Sequence, residues 1–120
     1  MDSMHSPRRG DVVRVRLDPT EGSEQAGERP ALVLSPHIIN EHSPVILIAS
    51  LTTRKTERVY PFEARVDPPE GGLLCPSKVL LMQIGSVDKR RLTGRYGAVS
   101  EETMERVEDA SRTATGLRPL

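Results

Sequence analysis

Apolar residues arrive in this chain in short runs, alternating or β-branched, and most runs are closed by glycine, proline or polar turn residues. Such punctuation predicts several short strands rather than long helices. In Asp11–Leu17, Val13, Val15 and Leu17 face a core while Arg14 and Arg16 face outward. A second strand is expected from Ala31 to Ser35, and Val45–Ala49 is a buried, β-branched strand. Pro36–Ser43 reads as a connecting turn with a brief helical stretch. Arg58–Val66 alternates again, but Pro61 pushes it to a sheet edge or a bulge. The cluster Asp67–Gly72 is a turn, Lys78–Val87 is a further apolar strand, and Gly94–Val99 is a last short one. One long helix follows. Ser100 caps it, Glu101 and Glu102 suit its positive end, and Gly116 ends it, with Met104, Val107, Ala110, Ala114 and Leu117 on one apolar face. The expected class is mostly β with α, a small antiparallel barrel with its helix laid against it. At 120 residues the chain supports one core. Residues 1–8 are expected as an N-terminal tail, 9–117 as a single domain and 118–120 as a C-terminal tail.

Seventeen basic and seventeen acidic residues cancel, so no global field marks a nucleic-acid binder. The charges are segregated, however. Arg54, Lys55 and Arg58 form one cationic stretch, Lys89, Arg90, Arg91 and Arg95 another, and the acids gather from Glu101 to Asp109. Cys75 is the only cysteine, which excludes an intrachain disulfide framework and reads as a structural thiol beside Pro76. No run approaches the roughly 20 apolar residues of a membrane span, and the expected location is cytoplasmic, with no membrane association.

Several chemistries lack their residues. His5, His37 and His42 stand at no metal-ligand spacing with cysteine or carboxylate, so no metal is expected. No P-loop, dinucleotide fingerprint or nucleophile elbow occurs, and no cofactor is expected. Arginine, hydroxyls and carboxylates remain. The polar stretch Gly22–Pro30 ends in Arg29 at the root of a strand, and structureless connections of such length are commonly functional or disordered. A surface hairpin and a phosphate site are both open readings of these residues. The run Ser50-Leu51-Thr52-Thr53-Arg54-Lys55 puts hydroxyls and cations at a strand exit, where guanidinium and hydroxyl together suit a phosphodiester. RNA supplies its own nucleophile, the 2′-hydroxyl, and needs from a protein only alignment and stabilisation of the charge developing on phosphoryl oxygens.

Arg9-Gly10-Asp11-Val12-Val13, followed by Gly22-Ser23-Glu24-Gln25-Ala26-Gly27-Glu28-Arg29-Pro30-Ala31-Leu32-Val33, resembles the opening of the MazF/PemK family of bacterial toxins. The likeness continues through Ile48–Thr53, Gly72-Leu73 with Ser77, Gln83-Ile84, Val87–Leu92 and the final helix. The resemblance implies an SH3-like barrel that forms a homodimer and cleaves single-stranded RNA sequence-selectively. It implies metal-independent attack by the 2′-hydroxyl, leaving a 2′,3′-cyclic phosphate and a 5′-hydroxyl. The family's loop arginine falls on Arg29 and its strand-end threonine on Thr52, as catalytic residues. Glu24, Gln25, Thr53 and Gln83 are the implied substrate-binding candidates. A cognate antitoxin with an acidic disordered segment is the implied partner, and Arg54-Lys55 is a cationic attraction point for it. One departure stands out: many relatives carry a cation after the Gln-Ile/Val pair, where this chain has Gly85 followed by Ser86. The scarcity of aromatics, Tyr60, Phe62 and Tyr96 alone, argues against base stacking as the main source of affinity.

Two other readings compete with this one. The related CcdB toxins share the barrel and bind DNA gyrase through a C-terminal Trp-Gly-Ile, but this chain has no tryptophan and ends Arg118-Pro119-Leu120. A catalytically silent barrel that only binds RNA is the other.

Overall fold

The computed structural model describes residues 6–16 and 27–118. The alternating runs become six antiparallel strands: β1 (Asp11–Arg16), β2 (Glu28–Val33), β3 (Val45–Thr52), β4 (Glu63–Val66), β5 (Ser77–Asp88) and β6 (Leu92–Ala98). Their order across the sheet is β4-β5-β3-β2-β1-β6. A short helix, α1 (His37–His42), links β2 to β3, and α2 (Glu101–Ala114) follows β6. The fold is thus mostly β, one antiparallel sheet with a C-terminal helix. No strand pairing joins β6 to β4 among the described residues, so the hydrogen-bond ladder is open.

The two edges are bridged instead by the turn after β4. Glu70–Gly72 forms one turn of 3-10 helix, and Gly71 and Gly72 both have φ of 69°. The glycines are required there. A Cβ on Gly72 would stand 2.0 Å from the carbonyl oxygen of Tyr96 in β6, and one on Gly71 would stand 2.8 Å from Val12 Cγ2.

Both sheet faces are packed, which explains the continuous β-branched runs. Val12, Leu32, Ala49, Leu51, Ala64, Val66, Val79 and Leu81 form one core with Met104, Val107 and Ala110 of α2. Val13, Val15, Ala31, Val33 and Ile46 form a second cluster, backed by Ile48, Val87 and Leu92. Each fully buried Val, Leu or Ile contributes about 1.5–3 kcal/mol relative to exposure. The expected alternation in β1 therefore needs correction at Val12, which is buried as completely as Val13 and Val15, while Leu17 lies outside the described residues. On α2, Met104, Val107 and Ala110 are buried and Ala114 packs against the core, but Leu117 lies beyond the last turn and is 79% exposed. Arg58–Phe62 is not strand, since β4 begins at Glu63, after Pro61.

Ser100 caps α2 by accepting a hydrogen bond from Thr103 N at 3.2 Å. Glu70 ties this cap to the glycine turn, because Ser100 N donates to Glu70 Oε1 at 2.6 Å. Burial works to raise the Glu70 carboxyl, but hydrogen bonds from Thr103 and Ser100 and the Arg106 charge outweigh it. The carboxyl is held below its ordinary value of 4.5. At the other end of the sheet, α1 is anchored by a buried network. Asn40 Nδ2 donates to Ser35 O at 2.8 Å, Ser35 Oγ donates to Asn40 Oδ1, and Leu47 N donates to Ser35 Oγ.

Candidate functional site

Antiparallel register determines which of the candidate residues can meet. β2 and β3 pair Val33 with Ile48, Leu32 with Ala49 and Ala31 with Ser50. Continued by two residues, that register sets Arg29 opposite Thr52. Arg29 is held in the sheet on its other side by pairing with Val15, and Thr52 by pairing with Lys78. Both share the sheet face of Ala31, Val33, Ile46 and Ile48, because side chains alternate along a strand. Arg29 is exposed and Thr52 half-buried. The neighbouring acid, Glu28, falls on the opposite face. Its carboxylate lies 3.4 Å from Arg14 Nε and accepts a short hydrogen bond from Thr93 Oγ1. A polar network on one face thus engages the carboxylate that follows Gly27, while the other face presents Arg29 and Thr52.

The remaining candidates divide. Thr53 follows the end of β3 and is exposed. Gln83 is exposed on β5, just beyond the Ala49–Ile84 pair, where the register between β3 and β5 breaks before resuming at Leu51–Val79. The pairs Ile48–Gly85 and Ile46–Val87 place Gly85 and Val87 on the face of Arg29 and Thr52, whereas beyond the break the odd residues Val79 and Leu81 turn to the opposite core, so Gln83 sits where β5 changes face. A Cβ built on Gly85 meets nothing within 4 Å, so glycine there is not imposed by crowding. Glu24 and Gln25 lie outside the described residues.

The sequence reading missed Lys78. It had been absorbed into an apolar strand, yet it sits opposite Thr52 and lines an open pocket of ≈ 360 Å³ together with Thr52, Arg54, Lys55, Glu63 and Leu80. Lys78 is 5% exposed. A buried ammonium needs partners. Its Nζ donates to Glu63 Oε1 at 2.8 Å and to Arg58 O at 2.9 Å, and it lies 5.8 Å from the centre of the Tyr60 ring. The signal available in the sequence was a lysine breaking the apolar pattern of Lys78–Leu81. The Tyr60 ring in turn stacks on Phe62 at 5.4 Å, with the Arg58 guanidinium 5.9 Å from its centre.

Thr52 Oγ1 accepts a hydrogen bond from Arg54 N at 3.1 Å. A hydroxyl engaged as acceptor keeps its own O–H to donate. The arrangement therefore offers a guanidinium and an aimed hydroxyl on one face, beside a cationic pocket, which is a donor set for phosphoryl oxygens. Among the described residues, no group of three or more His, Cys, Asp or Glu side chains could hold a metal ion, and no helix is long and apolar enough to cross a membrane. Cys75 is exposed.

Residues 8–114 match the family model described as PemK-like, MazF-like toxin of type II toxin-antitoxin system. The chain is 36% identical over 110 residues to Endoribonuclease EndoA of Bacillus subtilis (strain 168), covering 92% of this chain and 95% of that protein. Among solved structures, it superposes on a MazE-MazF crystal structure from Deinococcus radiodurans with a TM-score of 0.79 at 28% identity, covering 95% of this chain and 99% of the other. A mycobacterial endoribonuclease in complex with its cognate antitoxin superposes with a TM-score of 0.77 at 27% identity, over 95% of this chain and 99% of the other.

Proposed function

This chain belongs to the PemK-like, MazF-like toxins of type II toxin–antitoxin systems, and we propose that it cuts single-stranded RNA at Arg29 and Thr52, without a metal, by attack of the RNA's own 2′-hydroxyl. The observation that carries this reading is the β2–β3 register, which pairs Ala31 with Ser50 and, continued by two residues, brings exposed Arg29 and strand-end Thr52 to one sheet face. In the reaction the 2′-oxygen bonds to phosphorus and the bond to the 5′-oxygen breaks. The 2′-hydroxyl proton passes to water and the departing 5′-oxygen takes one from water, leaving a 2′,3′-cyclic phosphate and a 5′-hydroxyl. Negative charge gathers on the non-bridging oxygens. Arg29 donates to these oxygens, and its guanidinium stays charged throughout. The Thr52 hydroxyl, engaged as acceptor by Arg54 N, donates to the phosphate and orients it. Gln83 and Thr53 contact the RNA on either side, and Glu24 and Gln25, which lie outside the described residues, are further candidates for substrate contact.

Residues 9–117 act as a single domain in this reading, and the working form is a cytoplasmic homodimer. The names of the Bacillus, Deinococcus and mycobacterial relatives support RNA as substrate and a cognate antitoxin as partner. Incubation with a mixed RNA pool in chelator, followed by mapping of the ends, tests the chemistry: cyclic-phosphate ends are expected from wild type. Folded Arg29→Ala cleaving at the wild-type rate would overturn the assignment of the site. Tight RNA binding without any cleavage would instead favour a silent binding module.

A further inference from the structure

We propose that the pocket beside Thr52 is an anion subsite that grips a second phosphodiester of the RNA, one flanking the group cut at Arg29 and Thr52, with Lys55 and Arg54 as its ligands. This rests on the RNA-cleaving reading and adds a binding determinant to it. Three cations, Arg54, Lys55 and Lys78, meet one carboxylate, Glu63, around an open volume of ≈ 360 Å³. Glu63 is committed to Lys78 at 2.8 Å, with both side chains nearly buried, so the surplus positive charge resides on exposed Arg54 and Lys55. An open pocket with that surplus and a hydroxyl at its wall matches the chemistry of a phosphodiester rather than that of an apolar or cationic ligand.

The backbone supports the assignment independently. Lys55 has φ of 53°, the only positive φ on a non-glycine residue among those described. That conformation is unfavourable for a residue with a Cβ and persists only where the surroundings impose it. Here Arg58 N donates to Lys55 O at 3.3 Å across the turn, and three further bonds tie down the residues around it. Thr52 Oγ1 accepts from Arg54 N at 3.1 Å, Thr56 O accepts from Arg65 Nη1 at 2.7 Å, and Arg58 O accepts from Lys78 Nζ at 2.9 Å. The turn is thereby anchored on both flanks at the pocket rim, and it bears lysine where glycine would fit more easily. Lys78 is the floor of the device: it holds the turn and fixes Glu63.

Lys55→Gly separates this proposal from a folding defect, because glycine accepts the backbone conformation without strain. The probe is a short mixed-sequence single-stranded RNA with 2′-O-methyl riboses, which cannot attack its own phosphates. Binding is titrated across a range of potassium chloride for wild type, Lys55→Gly, Arg54→Ala and, as a remote control on α2, Arg112→Ala. Lys55→Gly and Arg54→Ala are expected to weaken binding by about tenfold. Each also flattens the dependence of log affinity on log salt by about 0.7. Arg112→Ala does neither, and Lys55→Gly melts no lower than wild type. Unchanged affinity and slope in Lys55→Gly and Arg54→Ala would overturn the subsite. Unchanged RNA binding combined with lost binding of a poly-glutamate peptide would overturn it too, assigning the pocket to an acidic partner. Cleavage of unmodified RNA by wild type is followed in parallel. A slope change without wild-type cleavage removes the catalytic reading and keeps the subsite, whereas cleavage without a slope change removes the subsite alone.

Discussion

Of the turns with positive φ in this protein, those at Gly71–Gly72 and at Lys55 handle it in opposite ways. At Gly71–Gly72 the strain is carried by residues without a Cβ, and the turn is pressed onto β6 so closely that no side chain fits. Its polar group, Glu70, is spent on the cap of α2. At Arg54–Glu57 the strain falls on Lys55, whose side chain is exposed beside an open pocket. The first turn closes the fold between sheet edges that no strand pairing joins among the described residues. The second keeps a costly conformation with no packing return, which is where function rather than stability is expected to have placed the residue.

That contrast can be broken at several points, beginning with the largest effect. Lys78→Met would leave the Glu63 carboxylate unpaired and nearly buried, costing about 3–5 kcal/mol of stability. Adding Glu63→Gln should recover much of it in chemical denaturation, and no recovery would mean the pair is not the unit that supports the Lys55 turn. Gly72→Ala meets a backbone carbonyl at 2.0 Å and should cost about 3–4 kcal/mol in the same assay. A near-neutral result would show that the glycine turn is as tolerant as the lysine turn, and the contrast would fail. Arg29→Ala and Thr52→Ala should leave the melting temperature unchanged while slowing RNA cleavage by about 10²–10³. A matching fall in stability would merge site and scaffold.

The smallest expected effect concerns pH. The Glu70 carboxyl lies below its ordinary 4.5 in the folded protein, so the unfolded chain binds its proton more readily. Its contribution to stability is full above that ordinary value and is lost as pH falls through the lower folded value. Glu70→Gln should therefore flatten the acid limb of the stability profile, with the Lys55 turn unaffected. An unchanged acid limb would detach Glu70 from the cap.

Much of the fold was legible in the chain. Turn clusters and β-branched runs located the strands, and Ser100 and Gly116 marked the last helix, because caps and glycine conformations act within a few residues. The open ladder was not legible, since closure depends on how far the sheet curls and on the Gly71–Gly72 packing against Tyr96 and Gly97. Val12 misled for a related reason: a strand covered on both faces loses the alternation that reveals one-sided burial. Arg29 and Thr52 stand out in the sequence through an ordered resemblance and through their residue types. Lys78 was missed because a lysine inside an apolar strand reveals its partner only when Glu63 is brought across from the neighbouring strand.

By itself, then, the sequence determined the local conformations: which segments extend, which turn, and where α2 begins and stops. It also supplied the polar stretch leading to Arg29, whose hairpin and phosphate readings its own residues could not separate; the expected strand start at Ala31 gives way to Glu28, which puts Arg29 inside β2. The tertiary structure decided who faces whom. Pairing across long separations, Ala31 with Ser50 and Thr52 with Lys78, brings Arg29, Thr52 and Lys78 to one face, and a shift of one position would turn each to the other face of the sheet. Local propensity is blind to that register. It is fixed by burying two apolar faces at once, and the cationic pocket beside Thr52 exists only because that burial holds three strands in line.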